Sequence, residues 1–386
     1  MKYLVIEDRD EKRKVVENEI KILDVDAIIE SADNLDDARV LILTNLYDLI
    51  VFDIYLPARK NDKEEQDISD DLINVFARSK NYHCESIALT MFADNDLPLS
   101  KFNGHGITVV SFDDDARWKD SLKQKIDRLA AKPRSDFLVF CALGKERAAF
   151  QKTDAKLGNL TPIAGLNCQE LVIDDYKGYC ITPQRMGLVN MAITVAKSIE
   201  IFQPKMVAMS GICAGVDGEA KLLDIVIGEF CWEYQTGKFK DNKFLQEPYQ
   251  ASVSNDLKVP LEQIVEDSEF LELLKKGLYD SELKDSRLRL GPISSGSAVV
   301  ADISKMNEIS MQHRKWAALE MEMYAFYEAA AQSLSRPVYF GAKSVVDMGD
   351  SAKGDALHTS ACILSARFVT EILRKFLPKY VGTPGR

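Results

Sequence analysis

Short apolar runs alternate with amphipathic stretches along the first third of the chain. Tyr3-Leu4-Val5-Ile6, Leu49-Ile50-Val51-Phe52, Ser86-Ile87-Ala88-Leu89-Thr90 and Ile107-Thr108-Val109-Val110 read as buried strands. A weaker strand is centred on Ala27-Ile28-Ile29. Between them residues 11–23, 35–43, 68–78 and 118–129 carry helical patterning. Strands alternating with helices at this spacing predict a doubly wound parallel sheet over residues 1–130. The polar, Pro-containing stretch 131–135 is a linker. A second α/β domain, residues 136–386, restarts with the apolar run Phe137-Leu138-Val139-Phe140-Cys141-Ala142. Further strands are expected at 206–215, 223–228 and 338–346, and a polar, partly helical excursion at 241–290. The run from Ala317 is rich in Ala, Leu, Glu and Met and predicts a helix that Ser335-Arg336-Pro337 stops.

Composition narrows the class. The chain has 386 residues, 46% of them apolar and 28% charged, with a net charge of -11. That charge excludes nucleic acid or an anionic membrane as the main partner. Seven scattered cysteines show no CxxC or zinc spacing, as in a reduced cytoplasmic protein. The start MKYLVIEDRD turns charged after six residues, unlike a signal peptide. No apolar run approaches the roughly 18 residues of a membrane span.

Acids sit at strand ends in the first domain: Glu7-Asp8 after one strand and Asp53 after another. Neighbouring strands lie about 5 Å apart, so three carboxylates would converge, with raised pKa values unless a cation neutralises them. Hard oxygen ligands suit Mg²⁺. Residues 1–130 resemble the flavodoxin-like receiver domain of bacterial response regulators. The resemblance implies that Glu7, Asp8, Asp53 and the Tyr55 carbonyl hold Mg²⁺. It also implies that a histidine kinase or phosphotransfer protein phosphorylates Asp53, and that Thr90 is the switch hydroxyl. Pro57 follows at the family's spacing. The lysine that the family places after its fifth strand is missing, since the segment reads Thr108-Val109-Val110-Ser111-Phe112-Asp113. A receiver that only docks a partner is the alternative.

In the second domain Glu322 is expected mid-helix between Met321 and Met323. Glu320 and Glu322 cannot both be solvated on one helix face, so one is expected to point inward with a partner. Asp347 ends a buried strand, where open α/β sheets bind ligands. Leu319-Glu320-Met321-Glu322 followed by that strand resembles the purine nucleoside phosphorylase superfamily, and most closely its methylthioadenosine/S-adenosylhomocysteine nucleosidase branch. An α/β domain with a mixed sheet is then expected. The resemblance implies that Met321 and Glu322 hold the ribose, Asp347 protonates the purine, and Glu146 activates water. The small-residue loop around Gly211 lies on the sugar side, and Val299 and Val300 pack on the base. Val346, Ile212 and Val299 depart from the family's usual serine, small hydroxyl residue and aromatic; Ile212 disfavours inorganic phosphate.

A receiver joined to such a domain resembles the effectors of Detocs, a bacterial two-component phage-defence system. This implies cleavage of ATP or a related adenine nucleotide to adenine and a ribose phosphate, with no cofactor for the nucleosidase chemistry, in a homo-oligomer. Arg147, Arg185, Lys238 and Lys343 are the basic candidates for a polyphosphate tail. The alternatives are a methylthioadenosine-type nucleosidase or nucleoside phosphorylase, and a catalytically silent purine-binding sensor.

Overall fold

The computed structural model describes residues 1–382 apart from positions 63, 92–98, 114–116, 242, 248 and 351–355. The chain forms two compact units, Met1–Pro133 and Arg134–Arg386.

In the first unit β1 (Lys2–Ile6), β2 (Ile28–Ala32), β3 (Leu49–Phe52), β4 (Glu85–Thr90) and β5 (Thr108–Ser111) form one sheet in the order β2-β1-β3-β4-β5. All pairings are parallel, which is the flavodoxin-like order with its switch point between β1 and β3. Helices α1 (Asp10–Leu23), α2 (Leu35–Thr44), α3 (Ser69–Arg78) and α4 (Arg117–Ala130) follow strands β1, β2, β3 and β5. Each β1 and β3 side chain is buried or nearly so, because helices cover both sheet faces. Ile6 pairs with Phe52, so Glu7-Asp8 and Asp53 leave adjacent strands side by side.

The second unit is built on a ten-stranded mixed sheet. Its strands are β6 (Phe137–Phe140), β7 (Lys156–Ile163), β8 (Leu166–Ile173), β9 (Tyr176–Thr182), β10 (Met206–Gly215), β11 (Ile225–Glu233), β12 (Gln250–Ser252), β13 (Leu288–Ser295), β14 (Ala318–Glu320) and β15 (Val338–Asp347). Three parallel strands position the site: β10 lies between β6 and β15. Four helices frame them: α5 (Gly144–Ala148), α6 (Leu188–Phe202), α7 (Met323–Gln332) and α8 (His358–Val381). Ser365 of α8 ties the strands together, donating to the Ala342 carbonyl at 2.9 Å and accepting from the Gly211 N–H at 3.0 Å.

One expectation is corrected here. Residues 317–322 are not helical: Ala318–Glu320 is a strand, antiparallel to β10 and parallel to β13, and the helix starts at Met323. Sheet pairing overrides the helix propensity of Ala-Leu-Glu-Met. Glu322 therefore stands at the helix entrance, with non-helical φ -141°.

Candidate functional site

At the carboxyl ends of β6, β10 and β15 the second unit gathers buried charge. Glu146, on the short helix after β6, is 2% exposed. Its Oε2 accepts the Leu143 N–H at 2.9 Å and its Oε1 accepts the Ile212 N–H at 3.0 Å. A glycine is required opposite: a Cβ on Gly211 would lie 2.6 Å from Glu146 Oε1. Burial pushes the Glu146 carboxyl up to about 7; the Lys343 charge lowers it, Glu322 raises it, and the two N–H donors lower it.

Glu320 and Glu322 both point inward, where only one of them was expected to. Lys343 makes this tolerable. Its Nζ lies 2.7 Å from Glu320 Oε2 and 2.8 Å from Glu322 Oε2, at 1% exposure. Burial alone would lower the lysine's pKa, but Glu320, Glu322 and Glu146 raise it well above the ordinary value, so it remains an ammonium. This placement removes Lys343 from the candidates for a polyphosphate tail.

The two glutamates do different work. Glu320 closes the turn: it accepts the N–H groups of Glu322 (2.8 Å) and Met323 (2.9 Å) and the Ser295 hydroxyl. Glu322 accepts the Gly187 N–H at 3.1 Å, and Gly187 holds φ +108°, which favours glycine. Met321 lies half-buried between them.

Asp347 is half-buried at the last residue of β15, and its Oδ1 accepts the Gly349 N–H at 2.8 Å. The β10–β15 register slips between Cys213 and Ala214, where Val345 and Asp347 are the successive partners. Such a bulge re-aims a side chain, and bulges are common beside active sites.

The two valines expected on the base part company. Val300 is buried with Ala214, Trp232, Trp316 and Leu319, whereas Val299 is 64% exposed. Arg147 donates to Asn167 at 3.0 Å, and Arg185 and Lys238 are exposed.

In the first unit Glu7, Asp8 and Asp53 meet as the strand ends require, with an addition that sequence reasoning missed. Lys12, on the first turn of α1, reaches into the cluster at 5% exposure. Its Nζ contacts Glu7 Oε2 at 2.7 Å, Asp53 Oδ2, and the Leu89 carbonyl at 2.8 Å. Burial pushes the Glu7 carboxyl up to about 7, with Lys12 opposing and Asp53 adding to the rise. Asp53 Oδ1 accepts the N–H groups of Ile54 (2.6 Å) and Tyr55 (3.3 Å). Thr90 is fully buried at the end of β4.

The fit of Mg²⁺ to these residues rests on two observations. Asp8 Oδ1 is buried with no hydrogen-bond partner, and three carboxylates against one ammonium leave room for a dication. Glu7 and Asp53, however, are both engaged by Lys12, and among the described residues no three His, Cys, Asp or Glu side chains form a metal-binding group; the donors that would hold the ion are Asp8, Asp53 and the Tyr55 carbonyl. With that carbonyl as the third donor, the set suits a hard cation.

Comparison with known proteins then decides the family. The phosphorylase superfamily profile matches residues 136–378. The chain belongs to the phosphorylase superfamily. Solved structures with the same fold include a Helicobacter pylori 5'-methylthioadenosine/S-adenosyl homocysteine nucleosidase complexed with a pyrrolidin-3-ol compound. It is 15% identical, with TM-score 0.51, covering 63% of this chain and 99% of that one. Futalosine hydrolase of the same organism is 14% identical, with TM-score 0.51, covering 64% and 99%. Uncharacterized protein y4jS of Sinorhizobium fredii (strain NBRC 101917 / NGR234) is 26% identical over 95% of this chain and 97% of its own length. ATP nucleosidase Cap17 of Escherichia coli (strain KTE188) is 24% identical over 49% of this chain. The match spans 39% of Cap17's length. These named relatives and neighbours, y4jS apart, are hydrolases or nucleosidases.

Proposed function

We propose that the second unit is a purine nucleosidase that hydrolyses the N-glycosidic bond of an adenine nucleotide, ATP before others, to adenine and ribose 5'-triphosphate. The observation that carries this reading is the buried Glu146–Lys343–Glu322 constellation on the strand ends that lead to Asp347. Cleaving an N-glycosidic bond builds positive charge on the sugar and negative charge on the base, and an enzyme gains most by stabilising both in the transition state. Glu322, held as a hydrogen-bonded partner of Lys343 and Gly187, accepts from the ribose hydroxyls. Asp347 donates a proton to the departing purine. Glu146, whose pKa of about 7 suits proton transfer near neutrality, orients and deprotonates a water at the anomeric carbon. A base and an acid flanking the bond with a water between them is the inverting arrangement.

Hydrolysis is preferred to phosphorolysis because the Ile212 N–H already serves Glu146 and Ile212 has no hydroxyl to offer an anion. The choice of ATP is supported by the likeness to Cap17. Arg185, two residues before the Gly187 that touches Glu322, is the basic residue best placed for the tail.

The first unit serves in this reading as a receiver-like regulator. Asp53 accepts a phosphoryl group from a histidine kinase or phosphotransfer protein, with Asp8, Asp53 and the Tyr55 carbonyl holding Mg²⁺. When bound, the metal would offset negative charge on the phosphoryl oxygens. Thr90 reports the change. The pairing of units resembles the Detocs effectors, and on this reading the protein acts in cytoplasmic phage defence. Val189 and Ile193 are exposed one turn apart at the start of α6, and Met186 is exposed just before it, which supports self-association.

The test incubates purified full-length protein with ATP, ADP, AMP, adenosine or methylthioadenosine, with and without phosphate, and follows the released base by chromatography. Adenine from ATP without phosphate is expected. Faster release from methylthioadenosine would move the reading to that nucleosidase, a phosphate requirement would make it a phosphorylase, and no release with any substrate would leave a purine sensor.

A further inference from the structure

The first unit lacks a lysine after β5, yet its acid cluster is not without a cation. Lys12 stands in the first turn of α1, the end of a helix where the backbone dipole disfavours positive charge. It is nevertheless buried, so the surrounding groups must hold it there. All three ammonium donors are used: one on Glu7, one on Asp53 and one on the Leu89 carbonyl. The Phe112 ring lies beneath at 5.3 Å from Nζ. Leu89 immediately precedes Thr90, and Phe112 follows β5, so this ammonium meets groups at the ends of four strands, β1, β3, β4 and β5. Its sequence neighbours Glu11, Arg13 and Lys14 read as a solvated face, which hides it from sequence reasoning.

We propose that Lys12 is the charge partner of Asp53, supplying from helix α1 the ammonium that β5 does not carry. The proposal rests on the reading of Asp53 as phosphoryl acceptor. In that step an Asp53 carboxylate oxygen attacks the phosphorus of the donor, a phosphohistidine of the kinase or phosphotransfer protein, or acetyl phosphate in the test below. The new P–O bond forms as the bond from phosphorus to the donor's imidazole nitrogen (or acetate oxygen) breaks, and the leaving imidazole (or acetate) keeps the electron pair. The acyl phosphate left on Asp53 adds negative charge directly beside Lys12 Nζ. The donor that now serves Asp53 Oδ2 turns to a phosphoryl oxygen, while Glu7 keeps the ammonium in place.

The experiment uses the full-length chain with Mg²⁺ and beryllofluoride, a stable mimic of the phosphoryl group, and reads binding by ¹⁹F NMR. Acetyl phosphate followed by mass spectrometry gives phosphoryl stoichiometry at Asp53. Charge-assisted bonds of this kind contribute enough that Lys12→Gln should bind beryllofluoride about 10- to 150-fold more weakly. Lys12→Arg should stay within a few-fold of the natural protein. If Lys12→Gln fails to fold, Glu7→Gln combined with Lys12→Gln removes one carboxylate with the ammonium and reads the same loss. Binding by these neutral variants equal to the natural protein overturns the role of Lys12 alone. Absence of both beryllofluoride binding and Asp53 phosphorylation in the natural protein overturns the acceptor reading, and the role of Lys12 with it.

Discussion

Replacing Lys343 by Met keeps most of the side-chain volume and removes the charge between Glu320 and Glu322. Ion pairs at 2.7 and 2.8 Å disappear, and both carboxylates stay buried. Removing one partner of a buried pair costs about 3–5 kcal/mol. That is a large part of the roughly 5–15 kcal/mol by which a native protein is stable. Adding Glu320→Gln withdraws one stranded charge, so the double variant should recover at least about 1 kcal/mol relative to Lys343→Met alone, a non-additivity expected of groups in contact. Urea unfolding of the full chain, followed by tryptophan fluorescence, measures both; Trp232 and Trp316 are buried in the second unit. The same variant shifts chemistry. Lys343 is the strongest influence lowering the Glu146 carboxyl, so its loss moves Glu146 ionisation from about 7 to higher pH, and the acid limb of the rate profile moves with it. A Lys343→Met protein within about 0.5 kcal/mol of the natural one, the range of ordinary surface changes, would refute the reasoning. So would a double variant no more stable than the single.

Four further outcomes are expected. Asp347→Asn should lower base release about 10²- to 10⁴-fold while leaving the unfolding transition in place, measured by chromatography and urea titration. Gly211→Ala brings a methyl group to 2.6 Å from Glu146 Oε1 and should lower kcat at least about tenfold with a smaller effect on KM, since the displaced group acts on water. Glu322→Gln should blunt discrimination between ATP and its 2',3'-dideoxy analogue, because an amide accepts less strongly from two hydroxyls than a carboxylate does; equal discrimination by variant and natural protein removes Glu322 from the ribose. The raised Glu146 pKa also has a stability consequence. The folded state keeps a proton up to about pH 7 that the unfolded chain releases near its ordinary 4.5. Stability therefore falls as pH rises through that window, by about 3 kcal/mol from this group, and Glu146→Gln should remove that part of the slope in urea midpoints at pH 5 and 7.5.

The parallel strands were legible because burial on both faces leaves long apolar runs: Leu49–Phe52 is unbroken and Val338–Val346 is interrupted only by Lys343 and Ser344, and both stand out with no partner in view. Acids directly after such runs gave Glu7, Asp53 and Asp347. Other features were hidden for definite reasons. Ala318–Glu320 is too short for periodicity, and only its partners β10 and β13 make it a strand. Lys12 and Lys343 are visible as letters, but a lysine's buried role depends on carboxylates from other elements. The β7–β9 meander had a signal that was overlooked. Ala164-Gly165 is a two-residue loop with both φ values positive, joining Lys156–Ile163 to Leu166–Ile173, as tight hairpins require. Alternating burial along Leu166–Ile173 and Tyr176–Thr182 accompanies it.

The central claim is that water, directed by Glu146, cleaves the bond between adenine and ribose in an adenine nucleotide. The most direct measurement is turnover of ATP in H₂¹⁸O, with the products resolved by mass spectrometry. The account predicts unlabelled adenine and a ribose 5'-triphosphate carrying one ¹⁸O at the anomeric position. Adenine released without label in the sugar, or intact ATP throughout with the Asp53 site loaded by beryllofluoride and Mg²⁺, would contradict it.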